Sequence, residues 1–235
     1  MLHAPRSHTR RSPGHSRSLP RCPPAPVPPP ARPARPGPFR PAGSGAAAAA
    51  AHGGAAMSDE RLRRVRDRVR PFPDFPEPGV LFRDISPLLK DPVAFRTLID
   101  LLEDHVRASF PKIDFIVGLD SRGFLIGTPL AQRLGIGFVP VRKKGKLPGA
   151  TESISYSLEY GKAELEVQSD AVEPGQKVVI VDDLLATGGT MRAACELLKR
   201  LKAEILECLV IIELKALKGS EKLNSIPFYS LLQYD

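Results

Sequence analysis

The chain has 235 residues, with 34 Lys+Arg against 26 Asp+Glu and a formal net charge of +8. The whole excess lies in residues 1–56, which carry 8 Arg, 13 of the 25 prolines and no Lys, Asp or Glu. The remainder is neutral, which argues against a specific nucleic-acid surface on the folding part, and no apolar run reaches the ~18 residues of a membrane span.

Residues 1–56 include an unbroken alanine run, Ala46–Ala51, and few large apolar side chains. Such a segment cannot bury enough surface to offset the entropy of ordering, so a disordered Pro/Arg/Ala-rich extension is expected. It is Arg-rich and acid-poor, as transit peptides are, but its prolines oppose an amphipathic helix. Met57-Ser58-Asp59-Glu60 looks like the start of a cytosolic protein. Residues 57–235 suffice for one domain with one core. Cys22, Cys195 and Cys208 have no metal-binding spacing, and the last two read as small buried thiols of a reducing compartment.

In chain order, "MSDERLRRVRDRVR" predicts a helix capped at Ser58 or Asp59, with Leu62, Val65 and Val69 on one face. Five prolines in positions 71–87 then predict a shaped, aromatic-bearing loop without regular structure. Asp91–Phe110 reads as a long helix with Phe95, Leu98, Leu102 and Val106 in its stripe. "IDFIVGLD" is a short buried strand ending in Asp120. "GFLIGTPLAQRLG" is a helix closed by Gly135, and "GFVPVRKK" a strand with a basic end. "SYSLEYGKAELEV" alternates twice around Gly161 and reads as an antiparallel flap. "KVVIVDD" is a buried strand, "TMRAACELLKRLKA" a helix and "EILECLVIIEL" a long apolar strand. Strands separated by helices predict an α/β fold with a mostly parallel sheet and right-handed crossovers.

The chemistry concentrates in "VVIVDDLLATGGT", Val178–Thr190. Ligands of open α/β sheets bind at the carboxyl ends of the strands, where Asp182 and Asp183 are expected. Ala186-Thr187-Gly188-Gly189-Thr190 then leads into a helix, whose free N–H groups and partial positive charge suit a phosphate monoester. Two carboxylates beside a phosphate cradle suit ribose hydroxyls, so the stretch reads as a ribose 5-phosphate site. The Gly-Lys-Ser/Thr of a Walker loop and the Rossmann G-x-G-x-x-G are both absent from it. The plainer reading is a capped helix after a buried strand, with solvated aspartates.

This stretch resembles the phosphoribosyl-pyrophosphate (PRPP) motif of type I phosphoribosyltransferases. "FPDFPEPGVLFRDISPLL", "GLDSRGFL", "RKKGKLPG" and "SYSLEYGKAELE" resemble the adenine-specific members of that family. The resemblance covers residues 57–235 and none of 1–56. It implies the type I fold, with helices flanking a central sheet, an antiparallel flap and an N-terminal hood segment. It implies a cytoplasmic homodimer of purine salvage that joins adenine N9 to the ribose of PRPP, giving AMP and pyrophosphate. Mg²⁺ is implied as a cofactor held mainly by PRPP, with no protein metal site.

Residue by residue, the resemblance implies phosphate binding by 186–190 and ribose binding by Asp182 and Asp183. Asp120, Ser121 and Arg122 form its pyrophosphate loop, with a non-proline cis bond at Asp120–Ser121. Arg142 and Lys146 add cations to the pyrophosphate, Lys146 from its own or the neighbouring subunit; Lys143 lies between them. Phe82 and Leu184 match the two apolar faces around adenine, and the backbone of Leu81 and Arg83 matches its edge contacts. Glu159 matches a general acid/base facing purine N7, and Tyr160 a flap residue closing over the substrates. Without the resemblance, Arg122 reads as a surface arginine, 142–146 as a solvated basic turn, Phe82 as a core aromatic and Glu159 as a strand-face charge. The polar run Ala150-Thr151-Glu152-Ser153 departs from the family pattern ahead of the flap. Two other functions are compatible with the PRPP motif: the same transfer to another base, and a non-catalytic PRPP-sensing regulator. Residues 1–56 show no helix-turn-helix pattern of the kind a regulator would bring.

Overall fold

A computed structural model of the chain describes residues 59–158 and 161–235. The expected extension at 1–56, the Ser58 cap, Glu159 and Tyr160 lie outside them.

Helix α1 covers residues 59–66. Its last turn tightens through Arg68 N–Val65 O and Val69 N–Arg66 O bonds of 3.1 and 3.0 Å. That turn tucks Val69 into the core beside Val65 although Val69 lies past the helix end. The proline-rich segment is more regular than its composition predicts. Strands β1 (Arg70–Phe72) and β2 (Phe82–Asp84) form an antiparallel ribbon, and α2 (Ser86–Lys90) follows. The prolines permit this because Pro71 sits in a two-stranded ribbon that is all edge, and Pro87 sits in the first turn of α2.

Helix α3 (Pro92–Ser109) starts where predicted, with the Asp91 carboxylate accepting from Val93 N and Ala94 N at 3.0 and 3.1 Å. Strand β3 (Phe115–Leu119) leads into α4 (Arg122–Leu134), which ends at Gly135 with φ 72°. Next come β4 (Gly137–Lys143), the flap strands β5 (Thr151–Leu158) and β6 (Gly161–Gln168), and β7 (Lys177–Leu185). Helix α5 (Gly189–Arg200), β8 (Glu204–Leu214), two 3₁₀ turns (Lys215–Leu217 and Gly219–Leu223) and β9 (Phe228–Tyr234) complete the chain. The 3₁₀ turns and β9 were not anticipated from sequence. The polar run ahead of the flap is part of β5, where Thr151, Glu152 and Ser153 pair with Gln168, Val167 and Glu166.

Seven strands form one sheet in the order β5-β6-β4-β3-β7-β8-β9. The five from β4 to β9 are parallel, and β6 joins the flap antiparallel to β4 through Arg142↔Glu166 and Lys143↔Leu165. The apolar run of β7 feeds two cores. Val179 and Val181 pack with α3 and α4, while Val178 and Ile180 pack with α5. A strand covered on both faces accounts for an unbroken apolar run where one-sided burial would give alternation. Since β4 lies beyond β3 and β8 beyond β7, the connections leave these neighbouring strands in opposite directions. The strand order therefore reverses between β3 and β7, which opens a crevice at their carboxyl ends.

Candidate active site at the ends of β3 and β7

Two turns meet at this crevice. After β3 the Asp120–Ser121 peptide is cis, as the resemblance implies, and Arg122 opens α4. A Cβ at Gly123 would collide with the Val181 carbonyl oxygen, so only glycine lets the start of α4 lie this close to β7. The Arg122 guanidinium thereby reaches Asp183, with Nε 2.7 Å from Oδ2, and stands 5.7 Å from the centre of the Phe82 ring. Phe82 is in turn held edge-on by Phe75, with centroids 5.1 Å apart.

Strand β7 continues to Leu185, two residues further than the sequence predicts, so both aspartates lie within its last turn-ward stretch. Asp183 is only 4% exposed, and its Oδ2 takes no well-aligned hydrogen bond among the described residues. Asp182 Oδ1 accepts from the Asp183 amide at 2.9 Å. Burial, followed by the charge of Asp183, pushes the Asp182 carboxyl well above the usual carboxylate range. Burial also raises Asp183, and Arg122 offsets part of that rise.

Beyond them, Asp182, Leu184 and residues 185–191 line a cleft of ≈ 110 Å³. Helix α5 starts from Gly188 with φ 79°, and no side chain caps it. Its first N–H groups therefore open into the cleft without a side-chain acceptor. The Thr190 hydroxyl lies 3.3 Å from the Tyr156 hydroxyl on the flap. The back of the 186–188 loop rests on Gly219: a Cβ at Gly188 would strike the Gly219 carbonyl, and one at Gly219 would strike that of Ala186. Sequence reasoning missed this support, because a contact between two backbones leaves no side-chain pattern to read.

On the other side of β3, Arg142 Nε donates to Asp120 Oδ2 at 3.1 Å and Nη1 to the Lys146 carbonyl at 3.3 Å. Lys143 and Lys146 form no ion pair among the described residues, whereas Lys144 is paired with Glu164 at 2.6 Å. Leu81 is exposed, and Arg83 stacks over Tyr234 at 4.0 Å. Leu81 immediately precedes β2, and Arg83 is the middle residue of that strand, paired with Pro71. The structure thus assembles Phe82, Asp120, Ser121, Arg122, Arg142, Asp182, Asp183 and Leu184 with the 186–190 loop around one crevice. Among the described residues no cluster of His, Cys, Asp and Glu is arranged to hold a metal ion by itself.

Residues 85–232 match the phosphoribosyl transferase domain family. The chain is 67% identical to adenine phosphoribosyltransferase of Rattus norvegicus over 180 residues, which span 76% of this chain and all of the rat protein. The chain belongs to the adenine phosphoribosyltransferases. The Homo sapiens member is 66% identical over the same share of both chains. The fold is similar to crystalline adenine phosphoribosyltransferase from Saccharomyces cerevisiae, with a TM-score of 0.72 and 46% identity. That match covers 74% of this chain and 99% of the yeast one, which was solved with adenine and an imino-altritol bisphosphate.

Proposed function

We propose that the chain transfers the 5-phosphoribosyl group of PRPP to N9 of adenine, releasing AMP and pyrophosphate in purine salvage. The observation that carries this reading is the uncapped start of α5 behind Asp182 and the buried Asp183, with Arg122 against Asp183 and Phe82. The α5 amides and the hydroxyls of Thr187 and Thr190 hold the 5-phosphate. Asp182 and Asp183 accept from the ribose hydroxyls, which supply the well-aligned donor that Asp183 Oδ2 lacks beside Arg122. Arg122, Arg142 and Lys146 face the pyrophosphate. The Asp120 carboxylate would repel that anion, so its part is to orient Arg142.

Adenine lies between Phe82 and Leu184, and the backbone at Leu81 and Arg83, on either side of Phe82, offers a peptide N–H and C=O to its N1 and N6. A 6-oxopurine would leave these groups mismatched. The N9–C1 bond forms as the C1–O bond to pyrophosphate breaks, and the leaving group takes the electron pair. Positive charge grows on the ribose and purine, and negative charge grows on pyrophosphate, where fixed cations stabilise it. Glu159 accepts the purine proton on the N7 side, and Tyr160 closes over the site.

The residues present fit Mg²⁺ that would arrive on PRPP oxygens, since among the described residues no cluster of His, Cys, Asp and Glu is arranged to cage the ion. When bound, it would offset charge on the departing pyrophosphate. Residues 57–235 form the transferase, which acts as a homodimer, and residues 1–56 are a separable extension. The free thiols Cys195 and Cys208 suit a reducing cytoplasm. Among the described residues no helix is long and apolar enough to cross a membrane.

Calorimetry with AMP, IMP and orotidine monophosphate tests the base assignment. The reading requires AMP to bind at least roughly a hundredfold more tightly than IMP; equal affinities would remove it.

A further inference from the structure

Glu166 is a polar residue on a strand that is otherwise well covered, and it is only 3% exposed. A buried carboxylate is costly unless its oxygens are hydrogen-bonded. Here they are bonded to the basic turn. Oε1 accepts from the backbone amides of Lys146 and Leu147 at 2.7 and 2.8 Å, and the Thr151 hydroxyl lies 3.5 Å from Oε2. Gly145 contributes a further backbone amide, and its φ of 81° turns the chain so that successive N–H groups converge. Burial alone would raise this carboxyl, but the amides of Gly145, Leu147 and Lys146 and the Thr151 hydroxyl outweigh it and hold the group below its ordinary value.

Glu166 is also the Cα partner of Arg142 across β4 and β6. The turn that it grips returns the Lys146 carbonyl to Arg142 Nη1. Arg142 then reaches Asp120, next to the cis peptide and Arg122. One buried anion on the flap strand is therefore joined, through the amides of Lys146 and Leu147, to the cations at the far side of the crevice from the phosphate loop.

We propose that Glu166 is a positioning residue for the pyrophosphate half of the site: its carboxylate fixes the 144–147 turn and thereby the directions of Arg142 and Lys146. The proposal rests on the reading that this turn meets pyrophosphate. A purely structural carboxylate would, when lost, weaken every ligand together. A positioning role predicts a split, because AMP is held by α5, β2 and β7.

The experiment measures magnesium pyrophosphate and AMP affinities by calorimetry, and KM and kcat for PRPP, on the full chain with E166A, E166Q and R142A. E166A weakens pyrophosphate roughly tenfold or more, as expected when buried amides lose their acceptor. It raises the KM for PRPP and leaves AMP within about twofold. E166Q, which keeps an acceptor oxygen but no charge, falls between wild type and E166A, and its split decides the matter if E166A does not fold. Parallel loss of AMP and pyrophosphate, or no loss of pyrophosphate, overturns the proposal. R142A separates the two layers. If R142A weakens pyrophosphate and the Glu166 variants do not, only the positioning role falls. If R142A also leaves pyrophosphate unchanged, the reading of the turn falls with it.

Discussion

Arg122 Nε stands 2.7 Å from Asp183 Oδ2, and this contact joins the first residue of α4 to the end of β7. Asp183 belongs to β7, and Arg122 follows the turn after β3, so the pair spans the two strands between which the sheet order reverses. The cation proposed for the leaving group and the carboxylate proposed for the ribose are thus set against each other in the substrate-free chain. Arg122 keeps part of its surface open, while Asp183 is buried, so the arginine is free to turn to an incoming anion.

Replacing Arg122 by alanine removes the proposed leaving-group cation and leaves Asp183 without its compensating charge. Turnover of adenine should fall about 10²-fold or more, as when a preorganised charge is lost elsewhere. The acid limb of the pH–rate profile should move to higher pH, because Arg122 is what holds the Asp183 carboxyl down against burial. Steady-state kinetics across pH checks both. A rate within about twofold of wild type would place Arg122 outside the reaction.

Asp182→Asn should stabilise the protein and weaken its ligands. Burial and Asp183 raise the folded-state Asp182 carboxyl above its unfolded value, so the folded state loses stability as pH rises from the unfolded value through the folded one. Asparagine does not ionise. At neutral pH the variant should melt a few degrees higher, about 2–4 °C for each kcal/mol recovered. Below the unfolded carboxylate range the two proteins should converge, because Asp182 is then protonated in both states. AMP affinity should drop roughly tenfold. Melting curves over pH and calorimetry test this, and a lower melting point at neutral pH would contradict it.

Thr190→Val should weaken AMP and PRPP together, roughly tenfold, because one donor to the 5-phosphate is lost from a site rich in charge-assisted bonds. Pyrophosphate affinity should be unchanged. Unaltered AMP binding would show that the hydroxyl serves only its contact with Tyr156.

Glu159→Gln should preserve AMP affinity and lower kcat by about 10²-fold, the scale of general acid–base catalysis. Wild-type turnover in this variant would return Glu159 to an ordinary charge on the flap.

Much of the fold was legible because the strands are apolar runs bounded by glycines, charges and a helix period, as in "KVVIVDD" and the α5 segment. The phosphate loop was legible because two acids, two threonines and two glycines follow such a run in order. The ribbon at β1 and β2 was not, since five prolines outweigh any local strand signal, and its pairing spans the whole intervening loop. Gly219 was not, because 215–223 carries no periodicity and its contact with Gly188 is between backbones. Glu166 reads in sequence as one alternating polar residue of the flap. Charge complementarity with the "KKGK" turn points to Glu164, which pairs with Lys144, whereas Glu166 is held by backbone amides that leave no side-chain pattern to read. The Arg122–Asp183 pair required knowing that β3 and β7 are neighbours, which follows from strand order and not from either motif alone.

The central claim is transfer of phosphoribose to adenine. Pyrophosphate release from PRPP and Mg²⁺ should be followed with adenine, hypoxanthine, guanine and orotate in parallel. Adenine should support turnover with AMP as product, and the other three bases should give at most roughly 1% of that rate. Faster release with any other base, or binding of PRPP with no release for any of the four, would contradict the account.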